Sequence, residues 1–144
     1  MKRRIFAFSR STRYTYEKIK DQAENITEHL IKVFLWPNVQ EVNHWKKEIY
    51  ANLYRAPKLK TNNKFPKYEA LMYCTWDTTE DVIYEWSQGI IDGMEENPIG
   101  FDYSALRSAI HNYYDWLCRS LSSSGLVTPK GVYSKIEELQ SKYF

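Results

Sequence analysis

Apolar positions recur along this chain at the spacing of a helix face. Tyr16, Ile19, Ala23, Ile26, Leu30 and Val33 follow one another at intervals of three or four residues. That periodicity places all six on one side of an α-helix, which Pro37 should stop. Asn38 followed by Glu41 has the spacing of a capping box and predicts the start of a second helix. Its stripe is Val42, Trp45, Ile49 and Leu53, and it ends before Pro57. The short link between the two favours an antiparallel hairpin.

Residues 55–67, with two Pro and two Asn, read as a loop, and Pro66 suits the first turn of a third helix carrying Ala70, Leu71 and Cys74. Asp77 with Glu80 repeats the capping spacing, and Ile83, Trp86, Ile90 and Met94 continue an apolar face. Residues 67–95 therefore read either as one helix or as two with a break near Asp77. A turn follows at Asn97-Pro98-Ile99-Gly100. Asp102 should cap a helix whose stripe is Leu106, Ile110, Tyr113, Leu117 and Leu121. After the Ser122–Gly125 link, Thr128-Pro129 opens a last helix facing inward with Val132, Ile136 and Leu139. Residues 5–8 suit a short extended segment. No alternating strand pattern of useful length and no internal repeat is present. The expectation is an all-α fold: a single-domain helical bundle of five or six amphipathic helices over residues 1–144, with a basic N-terminal arm at 1–13.

Composition agrees with this and removes several classes. Hydrophobic residues at 43% and charged residues at 26% are near the globular average, which argues against disorder. The chain is too short for two ordinary domains. No apolar run is long enough to span a membrane. The two cysteines, Cys74 and Cys118, form no CxxC pair, so zinc-ribbon and thioredoxin-type chemistry falls away. Buried reduced thiols suit a reducing compartment, and the expected location is cytoplasmic. Glycine-rich phosphate loops and GxSxG are absent, so no cofactor is expected and binding is favoured over catalysis.

Charge changes the picture most. Residues 1–67 contain fifteen Lys or Arg and six acids, a balance of +9; residues 68–144 contain five bases and twelve acids, a balance of −7. Such asymmetry points to nucleic-acid or membrane contact, or to self-association through the opposite halves. Two clusters dominate the basic half. The arm interleaves Lys2, Arg3, Arg4, Arg10 and Arg13 with Phe6, Phe8, Tyr14 and Tyr16; the loop combines Arg55, Lys58, Lys60, Lys64 and Lys67 with Phe65 and Tyr68. Cationic groups neutralise phosphates and release counterions, while aromatic rings stack on unpaired bases. The leading expectation is a small non-enzymatic binding protein that contacts nucleic acid through these residues. A protein–protein regulator or inhibitor, anchored by the surplus Tyr and Trp, is the first alternative.

Two further constellations carry chemistry. His29, His44 and His111 are the candidates for a metal site, with His29 and His44 at similar levels of the predicted hairpin; no HxxxH or ExxH pair accompanies them, and no metal is expected. Arg107 and His111, four apart, share a helix face, with Tyr113 close by. This pair resembles that of the HEPN ribonucleases, all-helical domains with an Arg and a His near a helix start. The resemblance covers only residues 107–113, with three intervening residues, fewer than is usual in that family. It implies metal-independent RNA cleavage, in which Arg107 stabilises phosphorane-like charge and His111 moves a proton.

Overall fold

A computed structural model of the chain describes residues 10–54, 68–87, 102–123 and 127–144, with side chains for 17–52, 72, 75–86, 102–123 and 127–144. These residues form five α-helices and no strand: α1 (Arg10–Leu35), α2 (Val42–Tyr54), α3 (Tyr68–Ser87), α4 (Tyr103–Ser123) and α5 (Pro129–Tyr143). The all-α expectation holds.

The apolar stripes become the core. Ile19, Ala23, Ile26, Leu30 and Val33 of α1 are buried, as are Trp45 and Ile49 of α2. All five stripe residues of α4 are buried, with Val132, Ile136 and Leu139 of α5. Two helix starts match the sequence reading. The Asp102 carboxylate accepts the Ala105 N–H at 3.1 Å. Thr128 is the N-cap of α5, its hydroxyl oxygen accepting the Gly131 N–H at 3.0 Å, with Pro129 in the first turn. Each cap satisfies one of the amide donors that a helix leaves open at its start.

Two boundaries differ from expectation. Asn38 does not cap α2. Residues 37–41 form a turn, and the first helical bond of α2 runs from Trp45 N–H to Glu41 O at 3.0 Å. Val39 packs against the core, and the Val42 N–H closes a tight turn onto its carbonyl. Burial of that valine competes with a capping-box start three residues earlier. Asp77 likewise starts nothing, because α3 runs unbroken from Tyr68 to Ser87. Thr75 and Thr79, on either side of it, are buried against neighbouring helices, and that packing outweighs the local capping signal. The predicted extended segment at 5–8, the 55–67 loop and the 97–100 turn lie outside the described residues, as do Ile90 and Met94.

Helix directions follow from paired contacts. The Lys32 ammonium of α1 lies 6.0 Å from the ring centroids of both Trp45 in α2 and Trp86 in α3. Thr27 of α1 lies beside Thr79 of α3, with hydroxyl oxygens 3.4 Å apart. Residues 27 and 32 thus match 79 and 86 in ascending order, so α3 runs parallel to α1. Glu80 meets Arg107 and Trp76 meets His111, so α4 runs the opposite way. Gln140 reaches Phe34 O, and the Phe144 ring stacks on Phe34 at 5.5 Å, which puts the end of α5 beside the end of α1. The starts of α1, α3 and α5 therefore share one end of the bundle.

A polar seam crosses the core where α1, α3 and α4 meet. The Tyr114 hydroxyl donates to Ala23 O at 2.9 Å, and its oxygen lies 2.9 Å from Thr27 Oγ1. The Thr79 hydroxyl donates to Thr75 O at 2.6 Å. Tyr113, next to Tyr114, is equally buried, yet its hydroxyl meets no partner among the described residues. Burial pushes both phenols well above their ordinary pKa.

Candidate functional site

The cationic residues singled out by the sequence fall in two places. Lys2, Arg3, Arg4, Phe6 and Phe8 precede the described residues, and Arg55, Lys58, Lys60, Lys64, Phe65 and Lys67 lie in 55–67, also outside them. Arg10, Arg13, Tyr14 and Tyr16 are on the first turns of α1, and Tyr68 is the first residue of α3, with only their backbone described.

What the fold adds is their relation. Lys32 of α1 sits between the rings of Trp45 and Trp86, and from Trp45 to Tyr54 α2 runs nine residues back along α1, about 14 Å at 1.5 Å per residue. From Thr79, level with Thr27, back to Tyr68 is eleven residues, about 16 Å in the same direction. The start of α3 therefore lies toward the end at which α1 begins.

The charge division also sharpens. Residues 1–16 and 55–67 contain ten bases and no acid, and the rest of the chain contains ten bases and eighteen acids, a balance of −8. Within 17–54, five bases meet six acids. The polarity is not one half of the bundle against the other. It sets two cationic segments against a remainder that is acidic overall.

The ribonuclease-like pair is brought together with two residues the sequence reading passed over. Arg107 Nε donates to Glu80 Oε1 at 2.6 Å, and the guanidinium lies 4.8 Å from the Trp76 ring centroid. The His111 ring lies 4.2 Å from the same indole, tilted by 36°. Trp76 and Glu80 are four apart on α3, as Arg107 and His111 are on α4. Two helix faces of equal period meet, each contributing two side chains. Arg107 and His111 are exposed. The guanidinium already faces a carboxylate and an aromatic face, so its charge is largely matched within the chain.

The histidines do not converge. His29 Nδ1 lies 2.7 Å from Asn25 O within α1, His44 is exposed on α2, and His111 stacks on Trp76. No group of three His, Cys, Asp or Glu side chains able to hold a metal occurs among the described residues. Cys118 is a buried thiol, its sulfur 3.9 Å from Thr75 Oγ1. No described helix is long and apolar enough to cross a membrane.

One concavity went unrecognised in the sequence. A cleft of about 320 Å³ opens between the end of α1, the following turn, α2 and α5. Its apolar wall is Val33, Pro37, Val42 and Ile136; Lys46 projects from α2, and Glu137 and Gln140 from α5. These residues are distributed over more than a hundred positions, with no local motif to mark them. The chain matches no known protein family, no curated protein and no solved structure.

Proposed function

We propose that this protein binds nucleic acid without acting on it, through the cationic segments 1–16 and 55–67. One observation carries the reading: these two segments hold ten bases and no acid, while the rest of the chain has a balance of −8. Phosphate neutralised by them releases counterions. The acidic remainder repels the same polymer, which favours contact through the cationic segments. The interleaved rings of Phe6, Phe8, Tyr14, Tyr16, Phe65 and Tyr68 favour unpaired bases, because every base offers a face to stack on. Binding is favoured over cleavage because the Arg107 guanidinium is engaged by Glu80 and Trp76.

The test is fluorescence anisotropy with labelled single-stranded RNA and duplex DNA at low and near-physiological salt. Affinity should fall steeply as salt rises. Replacing Lys58, Lys60 and Lys64 together with Ala should weaken binding and reduce the salt slope by roughly three, about one per phosphate-contacting cation. A triple variant that binds like the wild type at every salt overturns the assigned surface. No binding at low salt overturns the reading itself and turns the search to a protein partner. Cleavage of the RNA in the same sample, lost in His111→Ala, would replace it with the ribonuclease reading.

A further inference from the structure

We infer that the cleft between the end of α1, α2 and α5 is a binding site for an apolar α-amino acid. Its volume, about 320 Å³, falls at the lower end of the range for small-molecule sites, roughly 300–1,000 Å³. The argument for the occupant comes from three walls of different chemistry.

The floor is apolar: Val33, Pro37, Val42 and Ile136 line it. α2 supplies a cation. Lys46 is half-buried and enters no ion pair among the described residues, not even with Glu137 on the opposite wall. An ammonium at the wall of a concavity favours an anionic group beside it.

The third wall is electronegative. Glu137 is a carboxylate with no ion-pair partner among the described residues. Pro37 has no N–H, so the Val33 carbonyl lacks the donor that the fourth residue onward would otherwise give it. The last carbonyls of α1 carry the negative end of the helix dipole into the same corner. Gln140 completes the wall. Its Nε2 reaches Phe34 O only at 3.4 Å, and its Oε1 is shut off from solvent with no partner.

A carboxylate for Lys46, an ammonium for Glu137, and an apolar side chain for the floor are the three parts of an apolar amino acid. A plain organic cation would leave Lys46 repelled, and a plain anion would leave Glu137 repelled. The site is independent of the cationic segments, and its outcome does not depend on nucleic-acid binding.

The experiment is an amide-resolved NMR titration of the full chain with L-phenylalanine, 2-phenylethylamine, 3-phenylpropionate and N-acetyl-phenylalanine amide. L-Phenylalanine should give saturable shifts at the cleft, and each probe lacking one charge should bind roughly tenfold weaker or worse, the scale of one charge-assisted hydrogen bond. Lys46→Met should make L-phenylalanine bind no better than 2-phenylethylamine. Glu137→Gln should make it bind no better than 3-phenylpropionate. The dispersion of each variant's spectrum reports whether it is folded, and Lys46→Gln stands in if the methionine variant is not. The inference is overturned if L-phenylalanine produces no saturable shift at the cleft up to about 10 mM. It is also overturned if the folded variants leave the order of the probes unchanged. Tightest binding by the uncharged N-acetyl amide overturns it too, because the groove would then be reading a peptide.

Discussion

Tyr113 and Tyr114 are adjacent, equally buried and chemically identical, yet their hydroxyls face opposite situations. Tyr114 OH is held by Ala23 O and Thr27, while Tyr113 OH has no hydrogen-bond partner among the described residues. A buried polar group without a partner has lost its hydration and gained no bond in exchange. Tyr113→Phe is therefore expected to leave stability unchanged or raise it, whereas Tyr114→Phe should cost about 1–2 kcal/mol. Urea unfolding of the two variants checks the contrast, and equal losses would mean that the seam adds nothing. The same burial makes a prediction at high pH. Both phenols have pKa values above 10.0 in the folded state. The unfolded chain then releases their protons first, so stability falls as pH rises above about 10. In an absorbance titration, these two tyrosines should ionise only as the helical signal is lost.

Helix surfaces carry conflicts of their own. Glu28 on α1 stands near Glu24 and Glu85, and its pKa is raised, first by burial and then by Glu24. An acid whose folded pKa is raised holds its proton longer in the native state, so stability declines as pH climbs past 4.5 toward the folded value, and the full penalty remains at neutral pH. Glu28→Gln should therefore raise the melting temperature at pH 7 and leave it unchanged at pH 3, where both states are protonated; a lower melting temperature at pH 7 would show that attraction to Lys32 dominates. At the start of α5, Thr128→Ala removes the acceptor of the Gly131 N–H and should cost about 1 kcal/mol in thermal unfolding. Caps of this kind were legible because their signals are local: Asp102 and Thr128 each precede an apolar stripe. Asn38 and Asp77 carry similar local signals and cap nothing. Long-range burial of Val39, Thr75 and Thr79 decided there, and no short window of sequence contains it. The Arg107–His111 pair was visible as two residues on one face; that Trp76 and Glu80 of α3 would occupy that face depends on how α3 and α4 pack.

The distribution of charge is a property of the whole molecule. Counting halves of the chain finds a basic half and an acidic half, but counting by segment finds ten bases and no acid in 1–16 and 55–67 and a balance of −8 in the remainder. The sequence contained every charge; it lacked the parallel course of α3, which starts that helix toward the end where α1 begins. That geometry separates two kinds of charge by salt. At near-physiological ionic strength fields decay over about 8 Å, and at 0.01 M over about 30 Å. Glu41, just before α2, and Glu137, in the second half of α5, lie toward the end of the bundle where α1 finishes. Neutralising both as Gln should leave RNA affinity unchanged at physiological salt and tighten it slightly at 0.01 M, whereas the Lys58, Lys60 and Lys64 triple variant should lose affinity at both. If the two distant acids matter as much at physiological salt as the lysines do, the polymer runs along the side of the bundle and contact is not confined to the cationic segments.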